Sequence, residues 1–197
     1  MEKLYIGLVG KPGSGKETVA EIIRRYNPPE TKIGHHRFSD VIYEIAALLY
    51  LPKTREVGQK IAVGLRDNIS KDVLSNAVKQ RIANDVSDIV ILDGIRWWPD
   101  VEMLRSFPNN FLLYIVADPE KRFERLKKRV EKEGDKFKTW EKFLEEDGAE
   151  NERYVEEIGK TADYPPLYNN SSYVELKSQI YEIFFADEFF KLYKAGE

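Results

Sequence analysis

The sequence predicts an α/β fold: a mainly parallel sheet with helices on both faces. Three observations carry that prediction. Apolar runs of strand length alternate with segments of helical periodicity, the pattern of βαβ units. Two of the runs, Ile89-Val90-Ile91-Leu92 and Phe111-Leu112-Leu113-Tyr114-Ile115-Val116, are apolar throughout, as expected of strands buried on both faces. The first run, Leu4–Val9, leads through the glycine-rich turn Gly10-Lys11-Pro12-Gly13-Ser14-Gly15 into a helical segment from Glu17 to Tyr26.

The remaining elements follow in order. Ile33–Phe38 is a weaker strand, diluted by Gly34 and two histidines. Val41, Ile42, Ile45, Leu48 and Leu49 recur at helical spacing, and Ser39 or Asp40 would cap that helix. Gln59 to Ala83 reads as one or two helices broken near Asn68-Ile69-Ser70. Asp118-Pro119-Glu120 starts a helix that carries Phe123, Leu126 and Val130 on one face and dissolves at Glu133-Gly134-Asp135. Thr139 restarts a helix through Leu144. A short strand near Tyr164–Tyr168 contains Pro165 and Pro166, which confines it to a sheet edge. The segment 175–193 is helical in pattern and rich in Phe and Tyr, either packing onto the domain or forming a homodimer surface.

Composition narrows the function classes. The chain of 197 residues fits a single domain over 1–197, with 42% hydrophobic and 33% charged residues. A formal net charge of −3 lacks the basic excess that nucleic acid demands. With no cysteine, disulfides and thiolate metal sites are excluded. The longest clear apolar run, Phe111–Ala117, is too short to cross a bilayer, and charge arrives too early for a signal peptide. A cytoplasmic protein without nucleic-acid or membrane partners is the expectation.

The segment Gly10 to Thr18 carries the chemistry. Its spacing G-x4-G-K is the P-loop pattern, with Glu17 in the usual Ser/Thr position and Thr18 one later. Glycines let the backbone curl until successive N–H groups face one anion, and the following helix adds its positive end. Gly10, Gly13, Ser14, Gly15, Lys16, Glu17 and Thr18 are therefore the candidate phosphate-binding residues, with Lys16 the mobile charge that follows a transferring phosphate.

Asp93 ends a buried strand, where ligands bind in open α/β sheets. It would hold Mg²⁺ with Thr18; the alternative is a turn aspartate before Gly94. Arg96 is either a phosphate ligand or a surface arginine lying on Trp97 and Trp98. Arg122, Arg125, Arg129 and Arg153 form a second basic group, readable as lid arginines or as solvated helix faces. Asp40 is a proton acceptor or a helix cap, and Arg66 is an acceptor-phosphate candidate. His35 and His36 lack metal-ligand spacing and read as structural; Trp97 and Trp98 read as core.

Gly10–Thr18 resembles the G-x-P-G-x-G-K-x-T loop of adenylate kinases and other nucleoside monophosphate kinases, which also displace the Thr by one. Ile91-Leu92-Asp93-Gly94-Ile95-Arg96 is similar to their L-D-G-F-P-R motif, one residue shorter. The segments Ser39–Ile42, Asp93–Arg96, Arg122–Leu126, Thr139–Glu141 and Ala162–Tyr164 with Asn169 resemble the archaeal-type adenylate-kinase-related, dephospho-CoA-kinase-like proteins, a likeness running from residue 3 to about 185. The resemblance implies a P-loop kinase fold of three α/β/α layers, with a five-stranded parallel sheet in the order 2-3-1-4-5. It implies an acceptor-binding region near 38–85, a lid near 128–155, and Asn169 and Ser171 near the adenine. Tyr43, Glu146 and Ala149 stand where arginines are expected.

The expected function is ATP- and Mg²⁺-dependent phosphoryl transfer to a small acceptor, foremost a nucleoside monophosphate. Lys16, Asp93, Arg96 and Arg129 would act in transfer, with Asp40 as base for a hydroxyl acceptor such as dephospho-CoA. The rival reading is a P-loop ATPase or nucleotide-dependent switch.

Overall fold

The computed structural model describes residues 3–128 and 139–186. Five parallel strands, β1 (Leu4–Val9), β2 (Ile33–Arg37), β3 (Ile89–Ile95), β4 (Asn110–Val116) and β5 (Leu167–Tyr168), lie in the order β2-β3-β1-β4-β5. That is the order the sequence resemblance implies. Because β1 is flanked by β3 and β4, the chain leaves the end of β1 at the point where strand order reverses. A crevice opens there beyond the carboxyl ends of the strands.

Nine α-helices surround the sheet among the described residues: α1 (Lys16–Tyr26), α2 (Phe38–Leu48), α3 (Arg55–Asn68), α4 (Val73–Ile82), α5 (Trp98–Arg105), α6 (Pro119–Lys128), α7 (Trp140–Asp147), α8 (Val155–Gly159) and α9 (Tyr173–Ala186). A 3₁₀ turn at Glu150–Glu152 joins α7 to α8.

Strand alternation divides the core into two layers. Leu4, Ile6 and Leu8 of β1 face Val19, Ile22 and Ile23 of α1 and Leu176, Ile180 and Ile183 of α9. Val9, Val90, Leu92 and Leu112 face the other way, against Phe38 and Val41 of α2, Val78 of α4, Leu104 of α5 and Ile158 of α8. Each fully buried aliphatic side chain contributes about 1.5–3 kcal/mol, so the sheet strands around the crevice are held from both sides.

Several boundaries differ from expectation, each for a physical reason. Helix α2 begins at Phe38, whose buried ring anchors its first residue, so Asp40 lies in the first turn and Arg37 takes the capping position. Strand β3 continues past Asp93 because Ile95 pairs with Val9 and is buried. Helix α3 starts earlier, at Arg55, where Thr54 Oγ1 accepts from the Val57 N–H at 3.2 Å. Helix α5 has no counterpart in the expectation; Pro99 in its first turn and Asp100 at its start initiate it. Helix α9 inserts Leu176, Ile180 and Ile183 into the core, with Phe184 packed against them, so its described part packs on the domain. Residues 187–193 of the aromatic segment lie outside the described residues. No helix among the described residues is long and apolar enough to cross a membrane.

Candidate functional site

The turn after β1 has the geometry of a phosphate cradle. Gly13 and Gly15 adopt φ values of 79° and 103°, which residues with a Cβ rarely tolerate. Neighbours enforce the requirement. A Cβ on Gly13 would lie 2.8 Å from the carbonyl oxygen of Arg122, and one on Gly15 would collide with the Asn169 amide. Lys16 Nζ donates to the Gly10 carbonyl at 2.7 Å, folding the side chain back along the loop. Pro12, Gly13, Gly15, Lys16, Glu17 and Thr18 line a cleft of about 390 Å³. Gly10 and Ser14 lie buried behind them.

The loop is braced from the far end of the chain. Asn169 Nδ2 donates to the Ser14 carbonyl at 2.8 Å, while its own N–H donates to Val116. Arg125 donates to the Asn169 carbonyl at 2.7 Å and to the Gly13 carbonyl at 3.3 Å, and also lines the cleft. Asn169, expected near the adenine, thus holds the loop's shape through its side chain.

Asp93 lies on the cleft floor and is buried. Behind it, His35 Nε2 faces Asp93 Oδ2 at 3.4 Å, and His35 Nδ1 lies 2.6 Å from Arg24 Nη2. Arginine can only donate, so Nδ1 accepts and the ring proton sits on Nε2, towards Asp93. Burial alone would raise the Asp93 carboxyl. The His35 contact and the charges of Lys16 and Arg37 outweigh it and hold the group below the usual carboxylate range.

Arg96 stands in the loop after β3, and its position is set by Asp100. The buried Asp100 carboxylate accepts from the Arg96 and Trp97 N–H groups, each at 3.0 Å, and from Ser75 Oγ at 2.7 Å. Burial raises the Asp100 carboxyl against those hydrogen bonds. Burial and the neighbouring Arg55 charge push the Arg96 guanidinium down to about 10, still protonated near neutrality. Its partner is Glu152, in an ion pair at the cleft wall. Arg55, also lining the cleft, lies 3.6 Å from Glu146 Oε2, and Gln59 Nε2 donates to the Glu146 carbonyl at 3.2 Å. Tyr43 lines the same region and donates to the Thr54 carbonyl at 3.2 Å.

The other basic candidates are distributed differently from the sequence expectation. Arg122 donates to both oxygens of Asp147, at 2.5 and 2.9 Å, and its side chain is 4% exposed. Lys11 also reaches Asp147, at 3.4 Å, and Glu156 at 2.9 Å. Helix α7 is thereby pinned onto the phosphate loop, and Arg122 is a clamp for that helix outside the cleft lining. Arg153 stacks on Tyr154, and Arg66 stacks on Trp97 while donating to the Lys71 carbonyl. Asp40 is absent from the cleft lining; its half-exposed carboxylate lies 3.9 Å from Arg37. Arg129 lies outside the described residues.

Sequence reading missed Arg55, Asn151 and Glu152, which line the cleft, and His35 and Asp147 as partners of site residues. The acidic run through 145–157 was the available signal: carboxylates where a lid would carry arginines invite pairing with the site's own cations.

The family model described as an AAA domain matches residues 9–143. The UPF0200 protein PH1008 of Pyrococcus horikoshii is 32% identical over 185 residues, covering 91% of this chain and 95% of its own length. The chain belongs to the UPF0200 proteins of the AAA-domain family. Among solved structures, this UPF0200 chain is similar to the shikimate kinase from Bacteroides thetaiotaomicron, with a TM-score of 0.58 and 13% identity over 93% of this chain and 97% of that one. It is similar as well to the shikimate kinase from Acinetobacter baumannii in complex with shikimate, with a TM-score of 0.56 and 19% identity over 93% and 94% of the two chains. At those identities the likeness establishes the fold, that of P-loop kinases.

Proposed function

We propose that this protein is an ATP- and Mg²⁺-dependent phosphotransferase acting on a small acceptor. One observation carries the reading: the braced loop with Lys16 opens onto the same cleft as Asp93, Arg96 and Arg125. The N–H groups of Gly13–Thr18 and Lys16 bind the β- and γ-phosphates, and Arg96 and Arg125 stabilise charge on the transferring group. Thr18 and Asp93 fit Mg²⁺, because they are hard oxygen donors and Asp93 is held ionised. The metal would supply neutralisation of phosphate charge. Resemblance to nucleotide kinases supports a nucleoside monophosphate as acceptor, with dephospho-CoA, a hydroxyl acceptor, as the alternative.

A nucleotide-dependent switch is a second reading, favoured by the pairing of Arg96 with Glu152 and of Arg55 with Glu146. Arg96→Ala separates the two. Phosphotransfer requires kcat to fall by two orders of magnitude or more with ATP affinity nearly unchanged. A parallel loss of ATP binding would remove Arg96 from the transfer step.

A further inference from the structure

We infer that the phosphate acceptor is an uncharged hydroxyl compound and that Glu152 receives its proton. This rests on the phosphotransferase reading above and replaces the nucleoside monophosphate acceptor that the resemblance supports.

Two buried oxygens in the cleft wall lack hydrogen-bond partners among the described residues. The Glu152 side chain is 2% exposed, lines the cleft, and pairs with Arg96. Its Oε2 has no hydrogen-bond partner among the described residues, and neither has Oδ1 of the adjacent Asn151, which also lines the cleft. The Asn151 orientation is set by its Nδ2, which donates to Glu152 Oε1 at 3.2 Å. Buried acceptors without donors are rare in folded chains, and what satisfies both here must bring hydrogens. A hydroxyl group does, and its oxygen can in turn accept from the buried Arg96 Nη1, which also has no hydrogen-bond partner among the described residues.

Charge leads to the same chemistry. At the cleft wall Arg96 is matched by Glu152, and Arg55, which also lines it, is matched by Glu146 from outside the lining. A phosphate acceptor bound at Arg96 would lie against the Glu152 carboxylate or have to displace it. A neutral acceptor leaves the pair intact. Arg96 then orients Glu152 through Nη1 and keeps its other guanidinium nitrogens for the transferring group. Asp40, the carboxylate expected from the sequence to take a hydroxyl proton, lies outside the cleft lining.

The step balances without a further reactant. An oxygen lone pair of the acceptor hydroxyl forms the new bond to Pγ. The bond from Pγ to the bridging oxygen breaks, and its electron pair leaves with ADP. The hydroxyl proton passes to Glu152 Oε2 and from there to water.

Wild type and Glu152→Gln are incubated with Mg²⁺ and γ-labelled ATP. One panel holds neutral hydroxyl compounds (nucleosides, pentoses, hexoses and inositol); a second holds nucleoside monophosphates. ATP affinity is measured for both proteins. The expected result is label in a neutral hydroxyl compound, with kcat lowered at least 100-fold by E152Q and ATP affinity kept within about twofold. Label in monophosphates alone overturns the inference and leaves the phosphotransferase reading standing. Label in inorganic phosphate alone overturns both. An unchanged kcat for E152Q removes Glu152 as proton acceptor. Should E152Q lose ATP binding, Glu152→Asp is read instead: a kcat lowered tenfold or more at intact ATP affinity supports the role, and an unchanged kcat refutes it.

Discussion

The side-chain amide of Asn169 donates to the carbonyl oxygen of Ser14 at 2.8 Å, across a separation of 155 residues. The bond fastens the turn after the edge strand to the phosphate loop after the central strand. It also explains why residue 15 must be glycine, since a Cβ there would meet the same amide.

Replacing Asn169 with Ala leaves the buried Ser14 carbonyl without its donor. A lost partner of this kind costs about 1–3 kcal/mol. N169A should lower the melting temperature and weaken ATP binding about tenfold, measured by thermal denaturation and titration calorimetry. Unaltered ATP affinity would mean the loop keeps its shape without this brace.

Asp147 holds α7 through Arg122 and Lys11. Burial works to raise its carboxyl, but the Arg122 hydrogen bonds and the two cations prevail and depress it. For a depressed carboxylate the stabilisation is complete above the ordinary Asp pKa of about 3.9 and is lost as pH falls through the lower folded value. Asp147→Ala should therefore destabilise the protein at pH 7 by about 3–5 kcal/mol, as expected when a buried pair loses one partner. The difference from wild type should shrink as pH falls below about 4. Denaturant unfolding at pH 7 and pH 3 checks both statements; a gap that widens in acid would contradict the assigned pairing.

His35 Nε2 lies 3.4 Å from Asp93 Oδ2, and its Nδ1 takes a hydrogen bond from Arg24 on the other side. His35→Leu removes that support without touching the loop. Such outer partners of a metal-binding carboxylate typically change metal affinity 10–100-fold. H35L should raise the Mg²⁺ concentration needed for half-maximal nucleotide binding by that order, while metal-free nucleotide binding stays within about twofold. Equal losses with and without Mg²⁺ would assign His35 a purely structural part.

Legibility in the sequence followed the range of the interactions. Strands β1, β3 and β4 and the glycine loop are local features, written in contiguous apolar runs and in the spacing of Gly10, Gly15 and Lys16. Asp93 and Arg96 were readable because a strand end dictates where the next residues point. Arg122 reads as a lid arginine or a solvated helix face because its charge is visible in sequence and its partner is not; Asp147 becomes its neighbour only when α7 docks. The same holds for Glu152 beside Arg96. Asp40 reads as a base by type and loop position, but the buried Phe38 starts α2 early and leaves Asp40 on its outer side. Helix α5 was hidden by Trp97-Trp98-Pro99, a tripeptide that resembles a loop until Asp100 is seen capping it.

The central claim is transfer of the γ-phosphoryl group to a small molecule, and the fate of that group tests it most directly. With γ-labelled ATP, Mg²⁺ and a mixed panel of hydroxyl and monophosphate acceptors, products are separated after partial consumption of ATP, beside a Lys16→Ala control. The account predicts label in an organic acceptor, at a rate at least 100-fold lower for K16A. Label released solely as inorganic phosphate, in a Lys16-dependent reaction, would contradict it.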